Sequence, residues 1–139
     1  MTKPVPTLSA LAALILAVPA LMQGASAQTA QNSTAETINI ALSDYAFTPA
    51  RLDLKAGTAY RLHLTNSGTK DHDFSAPEFF AASQIAPDDK AKIKRGKIAV
   101  DKGQEIDIAV TPGAAGSYSL TCTHFMHDMM GMHGTITVQ

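Results

Sequence analysis

The sequence predicts an all-β fold, a Greek-key β-sandwich of about seven to eight strands. Three observations carry that expectation. Apolar and polar residues alternate in several short runs, most clearly Tyr60, Leu62 and Leu64 against Arg61, His63 and Thr65, the pattern of a strand with one face in a core. Turn-forming residues separate the runs, as at Ala56-Gly57, Asn66-Ser67-Gly68 and Asp101 to Gly103, where glycine and short polar side chains suit a reversal of the chain. No long stretch of the domain repeats apolar residues at a helical period.

The N-terminus carries a different signal. Lys3 precedes an apolar run from Leu8 to Met22 that ends in Gly24, Ala25, Ser26 and Ala27, the layout of a secretory signal peptide cleaved after Ala27. Pro19 interrupts the run and a single positive charge flanks it, so a retained anchor is the weaker reading and no stable membrane insertion is expected after cleavage. The protein is therefore expected in the periplasm or otherwise exported. Residues 28–36, small, polar and without period, read as a flexible lead. Residues 37–139 form the domain, and removing residues 1–27 from a chain of 139 leaves 112, enough for one core.

Within the domain, Ile38, Ile40 and Leu42 alternate with Thr37, Asn39 and Ala41 as a first strand. After Tyr45, Phe47 and Pro49 a shorter strand passes through Leu52 and Leu54, and the Tyr60 strand follows. A short strand then carries His72 and Phe74. Pro77 to Gln84 reads as a helical turn, with proline where a first turn tolerates it, and Phe79 and Phe80 cover one end of the core. Ala86 to Gly96, rich in Asp and Lys, reads as a solvated excursion without chemistry. Ile98 and Val100, a turn, and Ile106, Ile108 and Val110 read as a β-hairpin. Tyr118, Leu120 and Cys122 alternate inward on the penultimate strand, and Thr135 to Val138 supply the last. The sheets are expected to be antiparallel.

Charge and cysteine content narrow the function. Eleven Lys plus Arg against twelve Asp plus Glu give a formal net charge of −1, without the basic footprint of a nucleic-acid binder. Exported proteins normally use cysteines in pairs, yet Cys122 stands alone, so no internal disulfide forms and the thiol is buried and inert, bridges to another molecule, or has a role of its own.

The sequence around it points to that role. Cys122-Thr-His124-Phe-Met126-His127-Asp-Met129-Met130-Gly-Met132-His133-Gly134 places thiol, imidazole and thioether donors in one strand-to-strand connection. Such soft to borderline donors select copper or zinc over hard cations, and two His, one Cys and a distant Met describe an electron-transfer copper site. Cys122 ends an inward-pointing strand, His127 follows after four intervening residues, and Met132 after four more. A further ligand has to come from elsewhere, and His72, on a strand just after a turn, is the best candidate. His124 is an alternative to His127, and Met129 and Met130 are alternatives to Met132.

The C-x4-H-x4-M loop followed by Gly-Thr-Ile-Thr-Val, the upstream Asp71-His72-Asp73-Phe74, and the opening Tyr45-Ala-Phe47-Thr-Pro49 resemble the cupredoxin family of small blue copper proteins. The resemblance covers nearly all of the domain. It implies one type 1 copper per chain, with His72, Cys122 and His127 as equatorial ligands and Met132 as the axial one, Met130 being its competitor. It also implies a one-electron carrier whose partner is an exported redox protein such as a c-type cytochrome.

The remaining donors have plainer readings beside functional ones. His63 lies on the polar face of its strand and reads as an exposed titratable group. His124 and His133 are candidates for a secondary metal patch. Met126, Met129 and Met130 either shield the metal by apolar packing or form a collar that a partner touches or that captures Cu(I). Asp73 is placed to steady the ligand loop. No catalytic triad, phosphate loop or carboxylate pair is present, so the chain does not read as an enzyme. Two alternatives stand: a copper-handling protein that sequesters the ion or delivers it to a copper-accepting protein, and a structural zinc domain, which leaves Met132 without a role.

Overall fold

The computed structural model describes residues 34–139. The expected signal peptide and most of the lead lie outside the described residues. The strands are β1 (Glu36–Ser43), β2 (Ala46–Thr48), β3 (Arg51–Leu54), β4 (Tyr60–Asn66), β5 (His72–Ser75), β6 (Ser83–Ile85), β7 (Lys97–Val100), β8 (Glu105–Pro112), β9 (Gly116–Thr121) and β10 (His133–Val138). A short helix α1 (Pro77–Ala81) and a 3-10 helix (Pro87–Lys92) interrupt them. Two five-stranded sheets, ordered β2-β1-β4-β8-β6 and β3-β10-β9-β5-β7, face each other as a Greek-key β-sandwich.

The alternation seen in the sequence becomes the packing. Ile40 and Leu42 of β1, Leu62 and Leu64 of β4, and Ile108 and Val110 of β8 are buried from one sheet. Leu52 and Leu54, Ile98 and Val100, Leu120, Ile136 and Val138 are buried from the other. Each such side chain contributes roughly 1.5–3 kcal/mol by leaving water. Phe74 of β5, fully buried, meets Phe47 and Phe80 with ring centroids 6.0 Å away in each case. Phe79 and Phe80 are buried as expected, on a helix that starts with Pro77.

Two expectations are corrected. The sheets are mixed: β1 pairs with β4 in parallel, and so does β3 with β10. The cause is a sheet switch at Pro49 and Ala50, between β2 and β3, because a proline cannot donate to a ladder and the chain leaves the first sheet there. Nor do β7 and β8 form a hairpin; β7 pairs with β5 and β8 with β4 and β6. Asn66 explains that crossing. Buried at the end of β4, it donates through its side chain to Val100 O at 2.9 Å, while its backbone accepts from Gly103 N–H and donates to Gln104 O. The turn is thus pinned between the sheets. The edge strand β6 falls where a helical turn was expected to continue, and the 3-10 helix occupies the charged excursion without burying a residue.

Candidate metal centre

His72 begins β5, a strand whose four side chains are all buried, and faces Val100 of β7 across the ladder. Cys122 follows directly on β9, and the connection to β10 carries His127 and Met132. Backbone bonds fold this connection back on itself: Cys122 N–H donates to Met132 O at 3.1 Å, Met132 N–H to His127 O at 3.0 Å, and His127 N–H to His124 O at 3.1 Å. Met126 takes a left-handed φ of 64° at the bend, uncommon for a residue with a side chain.

The donors converge as a result. Cys122 Sγ lies 3.4 Å from His127 Nδ1 and 3.9 Å from His72 Nδ1, and the two Nδ1 atoms are 3.2 Å apart. Among the described residues this is the one group of three or more His, Cys, Asp or Glu whose donor atoms lie together, within 4.8 Å. A point equidistant from the three is about 2 Å from each, close to metal–imidazole and metal–thiolate bond lengths. The trio therefore fits a single ion of soft to borderline character.

Of the two axial candidates, Met132 is fully buried and Met130 is 55% exposed. Gly134 helps to set that difference. Thr135 N–H donates to Ala50 O at 2.9 Å, and a Cβ on Gly134 would collide with the same carbonyl. The glycine lets β10 approach the Pro49–Ala50 switch, which fixes the position of Met132 two residues earlier.

Asp73 ties the two halves of the centre together. Its backbone N–H points at Cys122 Sγ, 3.5 Å away, while its carboxylate accepts from the Thr123 N–H at 2.8 Å and the Thr123 hydroxyl at 2.6 Å. Lys97 Nζ lies 3.5 Å from the same carboxylate and donates to Thr123 Oγ1 at 2.8 Å. This buried charge is thus both hydrogen-bonded and paired, as burial demands. On the other side, Asp44 Oδ1 faces His72 Nε2 at 2.8 Å. Hydrogen bonds from the Thr69 hydroxyl and backbone hold the Asp44 carboxyl well below the usual carboxylate range. The His127 ring has Tyr45 edge-on at 4.8 Å and His124 stacked at 5.4 Å.

Burial pushes the Cys122 thiol up. Burial, then the neighbouring His72, pushes the His127 imidazole down. An ion bound through the Cys122 thiolate displaces the thiol proton.

His124 does not join the trio; its Nε2 sits 3.9 Å from Asp73 Oδ2. His133 lies 3.6 Å from Asp128, and His63 is partly exposed, 2.8 Å from Asp107 across the β4–β8 ladder. Sequence reasoning missed Asp44, Thr69 and Lys97, and gave Tyr45 no place at the site. The only sequence signal for any of them was Tyr45 in the opening motif.

Residues 12–138 match the family of cupredoxin-like domains. The chain belongs to the cupredoxin family. Membership implies copper as the ion. Among solved structures, this cupredoxin is similar to the Na-dithionite-reduced auracyanin of the photosynthetic bacterium Roseiflexus castenholzii, 21% identical with a TM-score of 0.58 over 76% of this chain and 98% of that one. It is similar to auracyanin B at 22% identity and a TM-score of 0.56, over 76% and 89% of the two chains. A multicopper oxidase of the hyperthermophile Aquifex aeolicus is 14% identical with a TM-score of 0.61, over 77% of this cupredoxin and 30% of the oxidase. At such identities the likeness is one of fold. No curated protein matches the sequence.

Proposed function

We propose that this cupredoxin holds one type 1 copper through His72, Cys122 and His127, with Met132 as a weak axial donor, and works as an exported one-electron carrier. The observation that carries the reading is the closed donor trio, with Sγ and two Nδ1 atoms 3.2–3.9 Å apart beside a fully buried Met132. Copper bound there would supply exchange of one electron between Cu(I) and Cu(II).

The residues do the rest. Asp73, Thr123 and the bonds that fold the loop hold the donors in one geometry, so little has to rearrange when the charge changes. Four protein donors leave no open position for a substrate, which favours a carrier over an enzyme. The reduced auracyanin among the structural neighbours accords with a redox role, and the oxidase neighbour shares the fold over a minor part of its own length. Phe125, Met126, Met129 and Met130 stand exposed on the ligand loop at 89%, 48%, 82% and 55%. Such a collar suits docking of an exported redox protein, for instance a c-type cytochrome, against the His127 edge. Export itself rests on the signal-like residues 1–27. Among the described residues no helix is long and apolar enough to cross a membrane.

The same exposed thioethers favour a second reading, a copper handler that captures Cu(I) and passes it on. A Cu(I) titration against a calibrated chelator separates the two, using wild type and a Met126→Leu, Met129→Leu, Met130→Leu variant. A carrier holds one Cu(I) in both proteins and recycles reversibly with oxidant. More than one tightly held Cu(I) in wild type, lost in the variant, together with sluggish reoxidation, would favour handling.

A further inference from the structure

We propose that Asp44 is a positioning residue of the metal centre, holding His72 with Nδ1 turned to the metal and biasing the site towards Cu(II). The inference rests on the copper reading above and adds to it a residue that sets the reduction potential.

The geometry is specific. Asp44 divides its two oxygens between two tasks: Oδ1 faces His72 Nε2 at 2.8 Å, and Oδ2 accepts from Thr69 N–H at 2.9 Å and from the Thr69 hydroxyl. His72 is fully buried and the Asp44 side chain is 20% exposed, so their contact is part-buried, reaching from the interior to the rim of the site. The chain also reserves room for it. A Cβ on Gly68 would lie 2.6 Å from Asp44 Oδ1 and 2.9 Å from His72 Nε2, so any larger residue there would have to displace one of the two. Gly68 is in turn held in place by Asn66, whose Oδ1 accepts from Gly68 N–H at 2.9 Å and whose side-chain nitrogen donates to Lys70 O and Val100 O.

The chemistry follows from the ring. A neutral imidazole carries one N–H, and a carboxylate acceptor at Nε2 puts the proton there, leaving the Nδ1 lone pair for the metal. The negative charge then acts through a buried ring on whatever Nδ1 binds, and by Coulomb attraction it favours the more positive oxidation state. The other carboxylate at the centre, Asp73, is offset by Lys97 at 3.5 Å. Among the described residues no Lys or Arg is paired with Asp44, whose one such contact is the neutral His72 ring, so its charge is not offset as that of Asp73 is.

Asp44→Asn keeps size and an acceptor oxygen but removes the charge, whereas Asp44→Ala removes both. Three quantities are to be measured: the reduction potential of the copper-loaded proteins, their Cu(II) and Cu(I) affinities, and, in the metal-free proteins, the protonated ring nitrogen of His72 by nitrogen NMR. Asp44→Asn is expected to lower Cu(II) affinity about tenfold or more relative to Cu(I), which raises the potential by about 59 mV per tenfold. Metal-free wild type is expected to hold His72 as the Nε2–H tautomer, and Asp44→Ala to mix the two tautomers. An unmoved potential in Asp44→Asn, or an unchanged His72 tautomer in a folded Asp44→Ala, would overturn the proposal. If the alanine variant does not fold, the asparagine variant decides alone. Failure of the copper reading would show differently, as a wild type without any copper–thiolate absorption.

Discussion

Cys122 supplies one sulfur atom, and neighbours on two strands and the ligand loop determine where that atom sits. The Asp73 N–H of β5 points at it, Thr123 is clamped by the Asp73 carboxylate, and Lys97 of β7 braces both. Met132 and Met130 differ instead by burial, and that difference makes a prediction. Met132→Leu should keep copper bound and raise its reduction potential, because losing a weak donor disfavours Cu(II) more than Cu(I), whereas Met130→Leu should change the potential little. Redox titration of the two variants checks this, and an exchange of the two behaviours would move the axial role to Met130. The loop donors stood out in the sequence because they share one short connection, although spacing left His124 beside His127, and Met129 and Met130 beside Met132, as alternatives. Asp44 was not, since its bond to His72 spans 28 positions and an isolated aspartate before a turn looks like any other.

At the scale of elements, legibility followed alternation. Strand β4 buries every second residue, β1 and β8 do so over their C-terminal halves, and all three announced themselves. β6 is three residues, Ser-Gln-Ile, with none fully buried, and offers no period to read. Which sheet a strand joins was illegible too: β7 and β8 look like hairpin partners until the long-range bonds of Asn66 are known. The charged 3-10 helix, read as solvated, proves to be tied down. Asp89 accepts from Ala109 N–H of β8 at 2.8 Å and from Lys92 at 2.7 Å. Burial alone would raise the Asp89 carboxyl, but these bonds outweigh it and hold the group below its ordinary value. A carboxylate depressed in the folded state stabilises fully above its unfolded value near pH 4, and the contribution is lost as pH falls through the folded value. Asp89→Ala should therefore cost about 1–2 kcal/mol at neutral pH, with the gap to wild type closing in acid. Urea unfolding at several pH values tests it; a gap that is constant with pH would contradict the tether.

Over the whole molecule, the core and the metal centre are separable contributions. Leu62 is fully buried in the middle of β4, paired with Ile38 and Ile108. Leu62→Ala should cost about 2–5 kcal/mol while leaving the visible spectrum of the copper-loaded protein unchanged, as denaturant melts and absorption would show. The sandwich was legible because period-two patterning and turn spacing are properties of the chain as a whole. Its parallel pairs were not, because they depend on one proline-marked switch between sheets. The most direct test of the central claim is the visible absorption and electron spin resonance of copper-loaded wild type beside Cys122→Ser. A copper–thiolate centre predicts one copper per chain and an intense visible band in wild type, absent from a variant that stays folded. A wild type with only weak absorption, or a band that survives in Cys122→Ser, would contradict it.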